Sequence, residues 1–428
     1  MSNTLLETLA IHAGQDKPGN ATSTRAVPVN RTPSKLAKLS FAALLVGASA
    51  IQAEDIPVVN IGGTKISLYG FLQANAVYED GANGNVNWSE KVPSKAEDGE
   101  GRFAFNVNQT RIGFNLSGPS GEAAEVTGKF ESDFANDNER RSNGVQNLRI
   151  RQSYGQVKFK NLGLTILFGQ TADLIGPLGA PTINQGGLKH QGSIGTRRPQ
   201  LRLTQAIGPV EIAVAATDDR QNQPILPGFQ GSLKGKVPAV WAGEKQNIEL
   251  TLSGHYASEE PALDGKEPSD GKPKYPSSWS GVASLSLPVV SIINLSGELF
   301  YGQNLNRYSN GSIGLSGTAT GGKADEGIQS LGGWGAASIK LPAGFSLAGG
   351  LGVEAIDENR EKKSTAETKN PNQNLVIFTN LKYNVAETAF IGFEYAHLQT
   401  DYAKFVTGEK VDSGKLNRFE LAFNYAFK

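Results

Sequence analysis

The sequence predicts an all-β protein: a 16-stranded antiparallel transmembrane β-barrel. Three observations carry this prediction. A short export signal precedes the main body, period-two patterning runs through the rest of the chain, and the joints between patterned segments alternate long and short.

Composition narrows the field first. The 428 residues hold 41 Lys+Arg against 41 Asp+Glu, no Cys, and a single Met at position 1. Zero net charge argues against nucleic acid as a partner, which calls for a basic excess. The lack of Cys removes disulfides, thiolate metal sites and cysteine nucleophiles together. The 51 Gly exceed the usual ~7% without the strict triplet period of collagen. No apolar run approaches the ~18 residues of a membrane helix. Alternating strands of a membrane barrel escape that test, because their polar and apolar residues average out.

Residues 35–53 read KLAKLSFAALLVGASAIQA. Lys35 and Lys38 supply a basic start, Leu39 to Ala48 an apolar stretch, and small residues follow, which is the layout of a secretory signal peptide. Cleavage is expected after Ala53, or else after Ala50. Residues 54–64 then form a periplasmic N-terminal segment, and 65–428 the barrel. Residues 1–34 read as an extraneous leader. Within it, 5–31, and above all Thr8 to Gln15 and Arg25 to Pro28, resemble the N-terminus of O-acetylhomoserine sulfhydrylase, a pyridoxal-phosphate enzyme. Nothing after Thr32 continues that likeness, and the cofactor-holding lysine has no counterpart. The segment is read as a fused or mis-started leader, and no cofactor is expected.

From Lys65 onward the period is two, the mark of a strand with two different faces. Ile66, Leu68, Gly70, Leu72, Ala74, Ala76 and Tyr78 share one face, while Ser67, Gln73 and Asn75 share the other. The last segment repeats this, with Phe419, Leu421, Phe423, Tyr425 and Phe427 opposite Arg418, Glu420 and Asn424. Sixteen such segments are expected, near 66–78, 102–117, 122–134, 147–158, 163–169, 199–207, 209–218 and 236–244, then 246–257, 278–287, 291–303, 329–341, 344–356, 374–385, 388–399 and 415–427. Long polar connections (79–101, 135–146, 170–198, 219–235, 258–277, 304–328, 357–373, 400–414) alternate with tight ones such as Gly118 to Gly121, Lys160 to Gly163, Gly243 to Lys245 and Pro342-Ala343. Long loops at one end and short turns at the other are the build of an outer-membrane barrel. Tyr78, Trp279, Tyr301, Phe423, Tyr425 and Phe427 fall at or near segment ends, where aromatic girdles belong.

Five stretches resemble the Gram-negative general porins, and among them the trimeric porins of the DcaP type. They are Ile66 to Gly70, Gln109 to Phe114, Gly128 to Phe134, Leu148 to Gly155 and Phe168 to Gln170. The closing strand is similar to the porin assembly signal of alternating aromatics, with Lys428 added after the usual terminal aromatic. The resemblance covers 65–428. It implies a homotrimer of barrels in the outer membrane, with the third long loop, 170–198, folded into each lumen. It also implies contact with lipid, lipopolysaccharide and the assembly machinery.

Polar alternates then face the lumen. The resemblance places a basic ladder on one wall of the constriction, here Arg111, Arg149, Arg151 and Arg202, with the acids Glu131 and Asp133 nearby. Later strands add Glu249, Glu298, Arg418 and Glu420. The third loop carries Asp173 against Lys189, Arg197 and Arg198, with His190 able to add charge in mild acid. A passage with mostly one sign of charge concentrates the opposite ion. Guanidinium groups also pair carboxylates or phosphates through two donors each. The expected function is passive diffusion of small hydrophilic solutes with a preference for anions, namely small carboxylates or phosphate-like solutes. A ladder that merely keeps a wide lumen wet is the plainer alternative.

No enzyme is expected. The histidines His12, His190, His255 and His397 share no metal-ligand spacing, and no Gly-x-Ser-x-Gly elbow occurs. The charge run from Asp133 to Arg141 mixes acids with Arg140 and Arg141, and reads as solvated rather than calcium-binding. Gly332 to Gly335 and Gly349 to Gly352 lie in strand patterns and read as close-packed or bent strands. A substrate-specific channel and a structural or adhesive barrel remain the other classes.

Overall fold

The chain forms a closed antiparallel barrel of 16 traverses. The structure, a computed structural model, describes residues 58–81, 91–94, 101–135, 147–184, 186–189, 191–218, 226–243, 246–258, 277–308, 329–356, 369–404 and 410–427. The expected leader and signal peptide lie outside the described residues. In chain order the strands are β1 (Val59–Ile61), β2 (Thr64–Glu79), β3 (Arg102–Asn106), β4 (Arg111–Ser117), β5 (Ala124–Asp133) and β6 (Arg149–Phe159). There follow β7 (Leu164–Ala172), β8 (Arg197–Ile207), β9 (Val210–Thr217), β10 (Gly228–Pro238), β11 (Asn247–Ser258) and β12 (Ser277–Val290). The last six are β13 (Ile293–Gln303), β14 (Gln329–Lys340), β15 (Phe345–Ile356), β16 (Lys369–Ala386), β17 (Ala389–Lys404) and β18 (Lys410–Phe427).

Two short elements reconcile these labels with 16 traverses. β3 and β4 are halves of one traverse, both paired to β2 and separated at Val107–Thr110. β1 is a three-residue ladder on the start of β2, turned through Gly62 and Gly63, whose φ of 56° and 81° suit residues without a Cβ. β18 pairs back onto β2 from Arg418↔Glu79 to Phe427↔Gly70, and this closes the sheet. Closure leaves no unpaired edge, the condition for a sheet surrounded by hydrocarbon.

The barrel is inverted relative to a soluble protein. Leu72 and Tyr78 on β2 are 52% and 46% exposed, whereas Gln73, Asn75 and Glu79 on the opposite face are buried. Phe105, Phe168, Leu201, Leu299, Ile377 and Leu421 continue the exposed apolar belt around the outside. Aromatic pairs mark both rims. Trp279 and Tyr301 meet edge to face at 5.7 Å near the long-connection end, and Phe345 stacks on Tyr383 at 4.7 Å near the short-turn end.

The eighth traverse is displaced from its expected place. β10 runs from Gly228 to Pro238 rather than over 236–244, a 3-10 turn at Val240–Ala242 follows it, and β11 begins at Asn247. Its outward row is Phe229, Gly231, Leu233, Gly235 and Val237, so two glycines blank out the apolar alternation. The register shows it plainly, with Phe229 beside Ala216 and Tyr256. The final strands also outrun expectation. β16 and β18 hold 18 residues each, and the joint between β17 and β18 shrinks to 405–409. At about 3.3 Å per residue they extend well past the ~10 residues a bilayer needs.

Candidate functional site: a lumen-folded loop facing a basic wall

The connection from β7 to β8, residues 173–196, folds against the inner wall of the barrel. Its base is a buried clamp. The Asp173 carboxylate pairs with Arg198 Nε at 2.8 Å, and accepts hydrogen bonds from the Thr196 backbone N–H at 2.8 Å and Gln230 Nε2 at 2.9 Å. Burial alone would raise the Asp173 pKa, but Arg198, Gln230 and Thr196 hold it below the usual carboxylate range. Arg198 lies over the Tyr308 ring at 4.0 Å, and Tyr308 stacks on His255 at 3.7 Å between centroids. The clamp therefore locks the loop to β10, β11 and the turn after β13. Asp173 and Arg198 are both 5% exposed, so each spends its charge on the other and not on the opening.

Further along, wall carboxylates receive the loop backbone. Glu298 Oε1 on β13 accepts the Ile194 N–H at 3.0 Å, and Glu394 Oε2 on β17 accepts the Ile183 N–H at 2.6 Å. Asn380 Nδ2 donates to the Pro181 carbonyl at 2.8 Å. Below Glu394, Arg418 joins Glu79 at 2.6 Å and Glu420 at 3.0 Å, a buried chain of charge across the β18–β2 closure. Apolar contacts add to the seat. Ile175 and Ile194 cluster with Val282, Phe300, Leu305 and Tyr308, while Leu188 clusters with Trp334, Val376, Phe378 and Leu398. This inner apolar patch departs from a uniformly polar lumen. Its signal was present in Leu375-Val-Ile-Phe378, an unbroken apolar run whose two faces are both apolar.

Glycines let the loop lie flat on the wall. A Cβ on Gly352 would overlap the Gln191 carbonyl oxygen, and one on Gly392 would come 2.5 Å from Ile183 Cδ1. Gly352 ends the string Gly349 to Gly352, which is thus close-packed against the loop as well as against its neighbouring strands.

The basic wall is built on β4, β5, β6 and β8. Register places Arg111 opposite Asp133 and Asp133 opposite Arg149. Arg149 grips Asp133 through two bonds of 2.8 Å, and Arg151 bridges Glu131 at 2.7 Å and Asp133 at 2.6 Å. Arg111 stands 3.6 Å from Glu131, Lys129 4.0 Å from it, and Tyr69 donates its hydroxyl to Glu131 at 2.9 Å. Glu131 and Asp133 are 3% and 0% exposed, so the acids sit behind and the half-buried cations in front. Arg202 bonds Gln200 Oε1 at 2.9 Å and the Ala172 carbonyl. Arg197 lies at the start of β8, where it is coupled to Lys189 of the loop and to Arg149 and Arg151. Desolvation, with Arg197, Arg151 and Arg149 adding to it against Asp173, pushes the Lys189 ammonium down to about 7.

Among the described residues, Arg111, Lys129, Arg149, Arg151, Lys189, Arg197, Arg198 and Arg202 thus gather with the acids Glu131, Asp133 and Asp173, while Glu298 and Glu394 take up backbone N–H groups of the loop. A hollow of about 260 Å³ is scooped into the loop itself, lined by its backbone and by Asn184, Lys189, Ser193, Thr196 and Arg197. His190 lies outside the described residues. Glu249, expected in the lumen, pairs with Lys234 at 2.6 Å and is only partly buried. Among the described residues no group of three or more His, Asp or Glu side chains is arranged to hold a metal ion. Glu394 was not singled out in the sequence, because its role depends on a partner 211 residues away.

Inward charge, outward apolar surface and a lumen-folded third loop define a porin-like β-barrel. The outer membrane channel DcaP of Acinetobacter baumannii is similar, with a TM-score of 0.69 at 19% identity over 86% of this chain and 99% of that one. An anion-selective porin from Comamonas acidovorans is similar at a TM-score of 0.55 and 11% identity, over 85% of this chain and 100% of its own. The trimer form of OmpT, an outer membrane protein of Vibrio cholerae, follows at 0.51 and 10% identity, over 85% and 100%. No protein-family model and no curated protein matches the chain.

Proposed function

We propose that this protein is an outer-membrane porin through which small hydrophilic solutes diffuse passively, with a preference for anions. The observation that carries the reading is the layering of the wall, with Glu131 and Asp133 buried behind Arg111, Arg149 and Arg151. A carboxylate already bound by guanidinium groups adds little field to the water in front of it, so the surplus cations set the local potential. Small carboxylates or phosphate-like solutes fit paired guanidinium donors. The anion-selective porin among the similar structures supports the sign. Neither catalysis nor a cofactor belongs to this reading.

The rest of the biology follows from the same proposal. Residues 35–53 direct export, 54–64 remain periplasmic, and 1–34 are a leader foreign to the barrel. The exposed belt meets outer-membrane lipid and lipopolysaccharide, and the closing strand Leu416 to Phe427 is read by the assembly machinery. The homotrimer is supported by the trimer form of a similar fold. The reversal potential of purified protein in a planar bilayer, across a salt gradient, tests the proposal. Anion-selective sign is expected; cation-selective sign overturns the preference, and silence in a folded barrel overturns the pore.

A second reading, a substrate-specific channel, is favoured by the 260 Å³ hollow beside Lys189 and Arg197. It predicts that a permeating solute blocks ion current saturably, where a general pore shows only dilution of the current.

A further inference from the structure

The connection between β2 and β3 contributes four described residues, Lys91 to Ser94, that have a seat inside the barrel. Val92 uses both of its backbone polar groups there. Its N–H donates to Thr400 Oγ1 at 2.8 Å, and its carbonyl accepts the Tyr402 hydroxyl at 2.7 Å. Thr400 is itself oriented by donating to Asn374 Oδ1 at 2.6 Å. The Val92 side chain is 2% exposed and belongs to the apolar cluster that holds Leu398, Leu416 and Leu188 of the lumen-folded loop. Gly414 completes the seat, since a Cβ there would overlap the Pro93 carbonyl oxygen.

These contacts lie away from the segment's own strands. β2 and β3 are hydrogen-bonded neighbours, while the seat is on β17 and β18, on the other side of β2 from β3. Pro93 stiffens the segment and removes a donor that would otherwise need a partner. Two matched hydrogen bonds, an apolar anchor and a glycine hollow together mark a built docking site.

We propose that residues 91–94 are a second constricting strap, which fills the lumen along β17 and β18 and confines solute to the side of the basic wall. The inference rests on the pore reading given above and extends it: the size limit is set by two loops and not by the third alone. Lys91, exposed beside the anchored Val92, also adds a cation to the long-connection end of the path.

The full-length protein tests this in planar bilayers, with single-channel conductance and the largest polyethylene glycol admitted as readouts. Gly414→Val drives the strap off its seat, while Thr400→Val combined with Tyr402→Phe releases it without adding bulk. Each is expected to raise conductance by roughly half to twofold and to admit a larger polymer, because passage scales with the open cross-section. The double variant keeps the test valid should Gly414→Val fail to fold. A folded double variant with wild-type conductance and wild-type size limit overturns the strap. A silent wild type overturns the pore reading instead, so the two failures are distinct.

Discussion

Glu298 on the barrel wall accepts the backbone N–H of Ile194 at 3.0 Å, with both residues buried. This bond fixes one shoulder of the third loop, as the bond from Ile183 to Glu394 fixes the other. An N–H left buried without an acceptor costs about 1–3 kcal/mol. Glu394→Ala should therefore loosen the loop, raising conductance and current noise, while Glu394→Gln keeps an acceptor oxygen and stays near wild type. Single-channel recording distinguishes them; identical traces from the two variants would show that the latch does not hold the loop.

The wall glycines offer a matched pair of tests. A Cβ on Gly352 would overlap the Gln191 carbonyl, whereas a Cβ on Gly335 of β14 meets nothing within 4 Å. Gly352→Ala should lower the unfolding midpoint, at a cost of about 1–3 kcal/mol for forced repacking. Gly335→Ala should be close to neutral. Urea or heat unfolding in detergent compares the two.

The parts of this barrel legible in the sequence are those governed by local periodicity. Inside and outside on β2 and β18 follow from alternation alone, since successive side chains on a strand point to opposite faces. β10 was displaced because Gly231 and Gly235 carry no side chain to mark the apolar face. The inward direction of Glu131 and Asp133 follows from parity too. Their capture by Arg149 and Arg151 does not, because it depends on a register shift between Glu131 and Ser132. The paths of the two inner segments were least legible of all. They are set by pairings such as Asn380 with Pro181 in the third loop and Tyr402 with Val92 in the first connection, which lie 199 and 310 residues apart.

Arg149 and Arg151 carry the next prediction. Replacing both by Gln removes two cations and frees Asp133, so the reversal potential should move toward cation selectivity. Asp133→Asn should move it the opposite way, toward anions. Losing a partner of a fully buried ion pair costs about 3–5 kcal/mol, and less applies here because the two arginines are 31% and 14% exposed. Folding is therefore checked alongside, by gel mobility before and after heating. An unchanged potential in folded variants would remove these residues from the ladder.

Lys189 should make the selectivity depend on pH. Its ammonium is depressed to about 7 by desolvation first and then by Arg197, Arg151 and Arg149, with Asp173 opposing them. A lysine below its pKa is charged and above it neutral, so anion preference should be greatest in mild acid and fall as pH rises through about 7. Lys189→Met should remove this component, holding selectivity at the alkaline level throughout. Lys189→Arg should hold it at the acid level, because a guanidinium keeps its proton more firmly. His190 is the next residue in the sequence and carries an imidazole, so His190→Gln is measured in parallel. Should the slope survive in Lys189→Met and vanish in His190→Gln, the histidine is the titrating group. Should Lys189→Met flatten it, the loop lysine faces the permeating ion.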